Sequence, residues 1–406
     1  MENKTMTQKL GMFIHWGIYS QLEYHEQVAA HKHMTNEEYE PLAKTFNPTE
    51  YDPEDWVLLA KNAGMKYICF TAKHHDGFCM WDTKYSEYKI TNTPYGKDVL
   101  KMLADACHKH GIMLSIYYSN PDWNYEYGYN PHSTHQWLAK NKANPDTEKL
   151  RDYIKKQITE LLTGYGKIYT VFWDIPPHIE DPSINALVRS LQPDILINDR
   201  GFDKGDFSTP ERDYDKIPGG YFTRATEACN SVGVNSWGYR KGENFYSKAY
   251  LKKSIDKILA MGGSFLLNVG PDARGVITPD YADKIKGVGA WYTRISEGLE
   301  ECTADDFNYG VYHNAYYSTK KENKTYFHFY DGIIADHVCM NAWKSTPKNV
   351  KLLNTGMDLP FEIEHLPFLN GFNEHVRLDG PELLNITNIP VDELEGEPIV
   401  IEVEWE

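Results

Sequence analysis

Ionisable side chains stand directly after several apolar runs of this sequence, where they could do chemistry. The segment KYICFTAKHHDGFCMW, residues 66–81, begins with apolar and β-branched residues typical of a buried strand. It then continues with His74, His75 and Asp76, residue types that hydrogen-bond to ligands or transfer protons. A buried strand that runs into such residues predicts that the chain reaches the wall of a pocket there.

The same pattern recurs along the first 270 residues. Further polar or aromatic residues of this kind, each at the end of an apolar run, are His15, Trp16, Tyr117, Tyr118, Ser119, Trp173, Asp174, Asn198, Asp199, Arg200 and Asn268. Two glutamates, Glu211 and Glu227, lie between the fifth and seventh runs. Two carboxylates on either side of a sugar ring are the requirement of glycoside hydrolysis. Neutral imidazoles and indoles suit the hydroxyls and the apolar face of a sugar.

Strand-like and helix-like patterns alternate through this region. The predicted strands are Met12–Trp16, Lys66–Ala72, Ile112–Ser119, Ile168–Asp174, Asp194–Asp199 and Ser264–Pro271, and the predicted helices are Asn36–Phe46, Asp52–Gly64, Lys97–Gly111, Thr147–Gly166, Ser183–Pro193 and Ser247–Gly263. This alternation predicts a parallel sheet covered by helices, and its length suits a (β/α)8-like (TIM-type) barrel. No glycine-rich turn follows the first strand, which disfavours a dinucleotide-binding fold. In a barrel of this type, residues at the carboxyl ends of the strands form one site.

The pattern changes from about Glu301. Short alternating runs replace the helical periodicity, for example YFHFYDGI, VKLLNTG and PIVIEVEW. They predict a small antiparallel β-sandwich. We therefore expect a barrel over residues 1–300 and a β-sandwich over residues 301–406.

Composition and charge exclude several classes of partner. The chain carries 58 acidic and 42 basic residues, a formal net charge of −16, which argues against nucleic acid and anionic membranes. The amino terminus has no apolar signal segment, and the six scattered cysteines form no CxxC pair, so we expect a cytoplasmic protein with reduced thiols. Adjacent histidines such as His74 and His75 rarely bind one ion, and no HExxH spacing occurs, so neither a metal nor another cofactor is predicted.

Seven segments in this order resemble the α-L-fucosidases of glycoside hydrolase family 29. They are GMFIHWGIYS, KYICFTAKHHDGFCMW, IYYSNPDW, TVFWD, LINDRG, NSWGYR and GGSFLLNVGPDARG, within residues 11–275. The resemblance implies a retaining mechanism through a covalent fucosyl-enzyme, without a metal. The implied substrate is a fucosylated oligosaccharide or glycoconjugate.

The resemblance also implies roles for individual residues. The nucleophile falls on Asp174, although Ile175 follows it where the family commonly has glycine. The acid/base falls on Glu227, with Thr226 in place of the usual tryptophan, or alternatively on Glu211. The substrate-binding positions are His15, Trp16, Glu26, His74, His75, Trp81, Tyr117 and Arg200.

Two other functions remain open at this stage. A retaining hydrolase of a related sugar, such as an α-L-galactoside, would differ in the surroundings of the sugar's C6. A catalytically inactive fucose-binding protein would have only one suitably placed carboxylate in its pocket. The oligomeric state is not predicted.

Overall fold

The structure is a computed structural model that describes residues 6–212, 220–365, 368–369, 376–377 and 382–406. The described residues divide into two compact units. The first is built from residues within Met1–Tyr214, Arg224–Tyr246 and Ser264–Lys286, and the second from residues within Asp215–Thr223, Ser247–Gly263 and Gly287–Glu406. The domain boundary near residue 300 stays a prediction.

Seven parallel strands form a curled sheet in the first unit. They are β1 (Leu10–Ile14), β2 (Tyr67–Lys73), β3 (Met113–Ser119), β4 (Ile168–Asp174), β5 (Leu196–Ile197), β6 (Glu227–Ser231) and β7 (Ser264–Val269). Their order across the sheet is β5-β4-β3-β2-β1-β7-β6. The strands are buried almost throughout, which explains why most of them are continuous apolar runs.

A short segment, residues 207–211, lies between the two edge strands of this sheet. It makes parallel bridges to both sides, at Asn198↔Phe207, Ser208↔Thr226 and Glu211↔Cys229. The segment therefore takes the place of the sixth strand in a ring of eight. With this closure, the predicted (β/α)8-like barrel is confirmed.

The eight described α-helices mostly begin at side-chain caps. They are α1 (Val28–His31), α2 (Asn36–Tyr39), α3 (Pro53–Asn62), α4 (Val99–His110), α5 (Thr147–Gly164), α6 (Pro182–Leu191), α7 (Lys248–Ala260) and α8 (Pro279–Ile295). Asp52, Asp98, Asp146 and Asp181 each accept a backbone N–H of the first turn, which would otherwise lack a partner. No helix in the described part of the chain is both long and apolar enough to cross a bilayer.

One predicted helix is shorter than its sequence pattern. The predicted helix Asn36–Phe46 ends at Tyr39 and continues as the 3₁₀ helix Glu40–Lys44. Pro41 is the cause, because proline has no N–H to donate to the preceding turn and its ring clashes with that turn. The other 3₁₀ helices are Ile18–Leu22, Ile90–Asn92, Ser296–Gly298 and Val391–Leu394.

Antiparallel strands make up most of the second unit. They are β8 (Thr303–Ala304), β9 (Tyr317–Lys321), β10 (Lys324–Phe329), β11 (Val338–Met340), β12 (Pro347–Leu352), β13 (Met357–Asp358), β14 (Phe361–His365), β15 (Phe368–Leu369), β16 (Val376–Arg377), β17 (Glu382–Ile386) and β18 (Ile399–Trp405). The sheets have the orders β13-β12-β18-β10-β9-β8, β11-β17-β14 and β15-β16. Phe327 and Ile401 of the first sheet share one core with Leu384 of the second. Two sheets on a common core form the predicted β-sandwich.

Candidate active site

A cavity of about 180 Å³ lies at the carboxyl end of the barrel strands. Its lining residues are Phe13, His15, Glu26, Gln27, His74, His75, Tyr117, His135, Phe172, Asp174, Ile175, Arg200, Glu211, Cys229 and Trp237. Eight predicted site residues are thereby brought together: His15, Glu26, His74, His75, Tyr117, Asp174, Arg200 and Glu211. Three others, Trp16, Trp81 and Glu227, lie elsewhere.

The Asp174 carboxylate is fixed at the last position of β4. The backbone of Trp173 exchanges two hydrogen bonds with the Asn198 side chain, at 2.9 and 2.8 Å, which holds the end of the strand. Tyr117 Oη donates to Asp174 Oδ2 at 2.7 Å, and Arg200 Nη1 donates to Oδ1 at 3.0 Å. Burial opposes ionisation of Asp174, but the Arg200 charge, His75 and the Tyr117 hydrogen bond outweigh it and lower its pKa. The group is therefore an anion at neutral pH, as a nucleophile must be.

Arg200 binds two carboxylates with one guanidinium. Besides Asp174, it donates from Nη2 to Glu211 Oε2 at 3.0 Å, while Nε donates to Thr209 Oγ1 at 2.8 Å. The environments of the two acids differ, because the Asp174 side chain is 12% exposed and that of Glu211 is 38% exposed. The cavity therefore holds a buried, ionised carboxylate beside a more solvent-accessible one.

His15 presents a defined hydrogen-bonding edge to the cavity. Its Nδ1 lies 2.7 Å from Asn268 Oδ1, and the amide nitrogen of Asn268 donates to Ser231 Oγ and to Trp237 O. Because that nitrogen already acts as the donor, Asn268 Oδ1 accepts and Nδ1 of neutral His15 carries the proton. Burial lowers the pKa of His15 to about 4 against the opposing charge of Glu26, so Nε2 is an acceptor for a hydroxyl.

The two adjacent histidines both reach the cavity, although alternation along a strand would bring only one of them there. The strand β2 ends at Lys73, so His74 and His75 lie in the following turn and strand alternation no longer applies. The His74 ring stacks on Tyr117 with centroids 5.5 Å apart and an interplanar angle of 6°. Burial lowers the pKa of His74 well below its ordinary value.

The orientation of His75 follows from a serine. Ser119 Oγ donates to Pro121 O at 2.8 Å and therefore accepts from His75 Nδ1, also at 2.8 Å. The Nε2 atom then faces Asp174 Oδ2 at 4.0 Å. Burial lowers the pKa of His75 to about 4, despite the Asp174 charge, so this ring is also neutral at neutral pH.

Glu26 is a buried anion that organises one wall. Its Oε2 accepts from Ser236 Oγ, Trp237 N and Gly238 N at 3.0, 3.0 and 3.1 Å. Burial would raise its pKa, but interaction with His25 and His15, which are positive only when protonated, and a backbone hydrogen bond from Gly238 lower it. The carboxylate thereby fixes the backbone that presents Trp237 to the cavity.

Both predicted tryptophans are in the core rather than in the cavity. Trp16 is adjacent to His15 in an extended chain, so the two side chains point in opposite directions, and its Nε1 donates to Asp272 O at 2.8 Å. Trp81 is fully buried, and its Nε1 contacts Glu160 of α5 at 3.3 Å. The structure therefore corrects the placement of Trp16 and Trp81.

Glu227 also lies away from the cavity, which corrects its expected placement. It is the first residue of β6 and pairs with Ser264, the first residue of β7, whereas Glu211 pairs with Cys229, further along the strand. Its side chain is fully buried and accepts from Tyr67 Oη at 2.6 Å. Burial raises the pKa of Glu227 to about 8. Only the carboxyl ends of the strands reach the cavity, so this buried acid belongs to a deeper layer of the barrel.

A family model described as alpha-L-fucosidase matches residues 2–297. The chain belongs to the α-L-fucosidase family. The tissue alpha-L-fucosidase of Rattus norvegicus is 27% identical over 315 residues, which cover 70% of this chain and 66% of the rat protein. Alpha-L-fucosidase isoenzyme 1 from Paenibacillus thiaminolyticus is 30% identical in a structural match with a TM-score of 0.85, covering 98% of this chain and 97% of that one.

A third fold relative comes from Bacteroides thetaiotaomicron. It is an alpha-L-fucosidase described as a trapped covalent intermediate in complex with 2-fluoro-fucosyl fluoride. It is 24% identical, with a TM-score of 0.77, and covers 98% of this chain and 94% of that one. At this identity, the match supports the fold alone.

The loop that follows Asp174 has an unusual backbone. Ile175 has φ of +58°, a left-handed conformation that glycine adopts readily and β-branched residues rarely adopt. Asn120 Nδ2 donates to Ile175 O at 2.9 Å and holds this conformation. Ile175, the first residue of the Ile-Pro-Pro sequence, thus has a left-handed conformation itself, and its side chain lines the cavity.

Seven residues that line the cavity were not predicted from the sequence, and the sequence pattern could have indicated only some of them. Phe13 stands two residues before His15, so strand alternation puts both on one face. Trp237 is part of the NSWGYR segment that carries the family resemblance. Nothing in the sequence singles out His135. The others are Gln27, Phe172, Ile175 and Cys229.

Metal ligands are not grouped in the described part of the chain. In the part of the chain that the structure describes, no group of three or more His, Cys, Asp or Glu side chains could hold a metal ion. All six cysteines lie in the described part of the chain, where they are buried and form no disulfide.

A buried ion pair anchors the turn that carries the two histidines. Lys73 Nζ donates to Asp122 Oδ2 at 2.8 Å, and both side chains are shielded from solvent. The ammonium also lies 4.3 Å from the centre of the Tyr118 ring. Next to this pair, Trp123 N donates to His75 O at 2.9 Å. The pair therefore ties the loop after β3 to the active-site turn.

Replacement of Lys73 by methionine is expected to lower the free energy of unfolding by about 3–5 kcal/mol, because it leaves Asp122 buried without a counter-charge. Urea denaturation measures this value. The matched control is Lys101→Met, which breaks an exposed pair with Asp105 and should cost less than about 1 kcal/mol. Equal effects of the two substitutions would contradict the structural role of Lys73, and adding Asp122→Asn to Lys73→Met should restore part of the stability.

Replacement of Glu227 by glutamine is expected to change how stability depends on pH. The folded-state pKa of about 8 lies above the ordinary value of 4.5, so wild type loses stability as the pH rises from 4.5 to 8. Glutamine has no proton to lose, so the variant should gain about 3–5 kcal/mol relative to wild type between these pH values. Urea denaturation at pH 5 and pH 8 measures the difference. The same relative stability at both would contradict a protonated, buried Glu227.

Proposed function

We propose that this protein is an exo-acting, retaining α-L-fucosidase that hydrolyses terminal α-L-fucosyl linkages through a covalent bond to Asp174. The observation that carries the proposal is the pair of carboxylates, Asp174 and Glu211, held by the single guanidinium of Arg200 at the cavity. The cavity of about 180 Å³ suits one monosaccharide, in keeping with removal of a terminal residue.

Family membership supplies the sugar class, and the cavity supports it. Phe13 lies 5.3 Å from Phe172 and 6.1 Å from Trp237 between ring centres, so three aromatic side chains form one apolar wall. Fucose has a methyl group at C6 where L-galactose has a hydroxymethyl group. An apolar wall accommodates the methyl group but leaves a hydroxyl without hydrogen bonds. This contrast favours the fucoside over the α-L-galactoside.

In this mechanism, Asp174 is the nucleophile. Glu211 is the general acid in the first step and the general base in the second. Asp174 attacks the anomeric carbon while Glu211 protonates the departing glycosidic oxygen, so the C–O bond to the aglycone breaks as the bond to Asp174 forms. Glu211 then removes a proton from water, which attacks the same carbon and releases Asp174. Two inversions give retained configuration, and retaining hydrolases hold their carboxyl groups about 5–5.5 Å apart. Trapping of a covalent intermediate in the Bacteroides thetaiotaomicron relative is consistent with this route.

Neutral histidines around the sugar serve binding. In the arrangement described above, the Nε2 atoms of His15 and His75 accept hydrogen bonds from hydroxyl groups. Charged imidazoles would instead compete with Arg200 for the Asp174 carboxylate. The lowered pKa values of His15 and His75, about 4 in each case, prevent this at neutral pH.

The alternative function, a catalytically inactive fucose-binding protein, predicts only one suitably placed carboxylate in the cavity. Three carboxylates line this cavity, and two of them, Asp174 and Glu211, contact Arg200. That arrangement favours an enzyme.

The test is hydrolysis of 4-nitrophenyl α-L-fucoside beside the corresponding α-L-galactoside, with NMR detection of the first anomer released. We expect faster cleavage of the fucoside and release of α-L-fucose. Release of β-L-fucose would overturn the retaining mechanism, and faster cleavage of the galactoside would overturn the substrate assignment. No cleavage of either would overturn the enzymatic proposal for simple glycosides.

Replacement of Tyr117 by phenylalanine is expected to move the acidic limb of the kcat/KM profile to higher pH. Tyr117 stabilises the Asp174 anion through a 2.7 Å hydrogen bond, and its removal raises the pKa of Asp174. Initial rates with 4-nitrophenyl α-L-fucoside between pH 3 and pH 8 measure the limb. The matched control is Tyr118→Phe, because Tyr118 donates to Gln157 instead. An unmoved limb in Tyr117→Phe would show that Asp174 ionisation does not set it.

A further inference from the structure

Trp137 is an exposed indole beside the active-site cavity. It lies in the loop between β3 and α5, residues 120–146, here called the β3–α5 loop. All ten tryptophans of the chain are described, and Trp137 is the most exposed of them, at 50%. A single exposed ring is common on protein surfaces. Trp137 differs from an ordinary exposed ring because it lies beside the cavity.

A series of rings connects Trp137 to the reaction centre. His75 Nε2 lies 4.0 Å from Asp174 Oδ2, and the His75 and His135 rings are 5.4 Å apart. The His135 ring is in turn 5.1 Å from Trp137. The His75 and His135 rings therefore connect the cavity to the indole through successive contacts.

Trp137 keeps ring surface available for a ligand. Its contacts with His135 and Trp123 are steeply inclined, at 72° and 74°, so neither neighbour covers it by parallel stacking. His135 lines the cavity, and its Nδ1 lies 2.8 Å from Thr134 Oγ1, which leaves Nε2 for another partner. The site thus offers an aromatic face beside an imidazole nitrogen.

The β3–α5 loop is held in place by hydrogen bonds. Asn130 Nδ2 donates to Pro177 O at 2.9 Å, and Ser133 Oγ donates to Pro176 O at 2.8 Å. Both acceptors belong to the segment that follows Asp174. Trp123 Nε1 donates to His135 O at 2.7 Å. The indole is therefore positioned relative to the nucleophile before a ligand binds, which limits the entropy lost on binding.

We infer that His135 and Trp137 form a subsite for the sugar ring to which the fucose is attached. The apolar face of that ring stacks on Trp137, and one of its hydroxyls hydrogen-bonds to His135. This inference rests on the proposed function, because it requires a fucosyl residue in the adjoining cavity. The subsite implies that the leaving group is a sugar rather than a small alcohol.

The test compares substrates with and without a leaving-group ring. Initial rates are measured with α-L-fucosyl fluoride, which has none, and with 2′-fucosyllactose and 3-fucosyllactose. The proteins are wild type, Trp137→Ala, Trp137→Phe and Tyr85→Ala. Tyr85 is 43% exposed and does not line the cavity, so Tyr85→Ala is the matched control for loss of a surface aromatic ring.

We expect Trp137→Ala to lower the ratio of kcat/KM for the better fucosyllactose to that for the fluoride by about 10-fold, chiefly through KM. Trp137→Phe should keep most of the ratio, and Tyr85→Ala all of it. An unchanged ratio in Trp137→Ala would overturn the subsite while leaving the proposed function intact. A wild-type protein that does not hydrolyse the fluoride would overturn the proposed function, and the subsite with it.

Discussion

Replacement of Asp174 by alanine is expected to lower kcat for 4-nitrophenyl α-L-fucoside by at least about 10³-fold. The carboxylate is a buried, ionised group of the cavity and, among the described residues, the one that both Tyr117 and Arg200 contact. Without it, no side chain forms the covalent intermediate, and electrostatic stabilisation of the positive charge at the anomeric carbon is also lost.

Azide separates a missing nucleophile from a damaged site. In Asp174→Ala, the anion can enter the space left by the carboxylate, attack the anomeric carbon and expel nitrophenolate. One inversion gives β-L-fucosyl azide, which NMR distinguishes from the α-anomer. Rescue with this product is the expected result, because it requires an intact cavity.

The control for Asp174→Ala is Asp199→Ala. Asp199 lies in the neighbouring loop, where it accepts a hydrogen bond from Thr209 and pairs with Arg224 without lining the cavity. Its removal should change kcat by less than about threefold. Retention of more than a tenth of the activity by Asp174→Ala would contradict a nucleophilic role.

Most of the barrel could be predicted because its strands are buried on both faces. Continuous apolar runs such as those of β2 and β4 have few other stable arrangements, and their neighbours in the sheet are fixed by parallel pairing. The residues at or just after their carboxyl ends, including Asp174 and His75, then reach the cavity by position alone. This is why most of the predicted site residues lie together at the cavity.

The segment that carries Glu211 could not be predicted in this way. Residues 207–211 read FSTPE, which contains a proline and has no apolar run. They lie in the barrel wall because Asn198 on one side and Cys229 on the other bridge to them, and such pairing depends on tertiary structure. Glu227 was favoured because it precedes the NSWGYR segment at the position that the resemblance implies. Its place at the start of β6 instead puts it in a deeper layer of the barrel.

His135 and Trp137 show a further limit. The long β3–α5 loop has no periodicity, and its approach to the cavity depends on side-chain hydrogen bonds to the backbone of Pro176 and Pro177. Pairings of this kind, between residues more than forty positions apart, leave no pattern in one sequence. The tryptophans predicted from the resemblance, Trp16 and Trp81, proved to be core residues instead.

Replacement of Glu211 by glutamine is expected to lower kcat/KM for a fucosyl oligosaccharide by about 10²–10⁴-fold, the usual contribution of a general acid. A glycosidic oxygen in an oligosaccharide is a poor leaving group and needs a proton. The loss should be much smaller for 2,4-dinitrophenyl α-L-fucoside, whose leaving group departs as a stable anion. The dependence of the loss on the leaving group distinguishes an acid/base from a residue that only binds.

Glu227→Gln is the matched comparison, since it makes the same substitution at the position that the sequence favoured. Glu227 is fully buried and hydrogen-bonded to Tyr67, outside the cavity, so kcat/KM should stay within about threefold of wild type for both substrates. Azide should rescue Glu211→Gln alone and give α-L-fucosyl azide, because it attacks the intermediate on Asp174 in a second inversion. If Glu227→Gln loses activity in the leaving-group-dependent manner and Glu211→Gln does not, the acid/base is Glu227. The catalytic protein would then have to bring that buried side chain to the cavity.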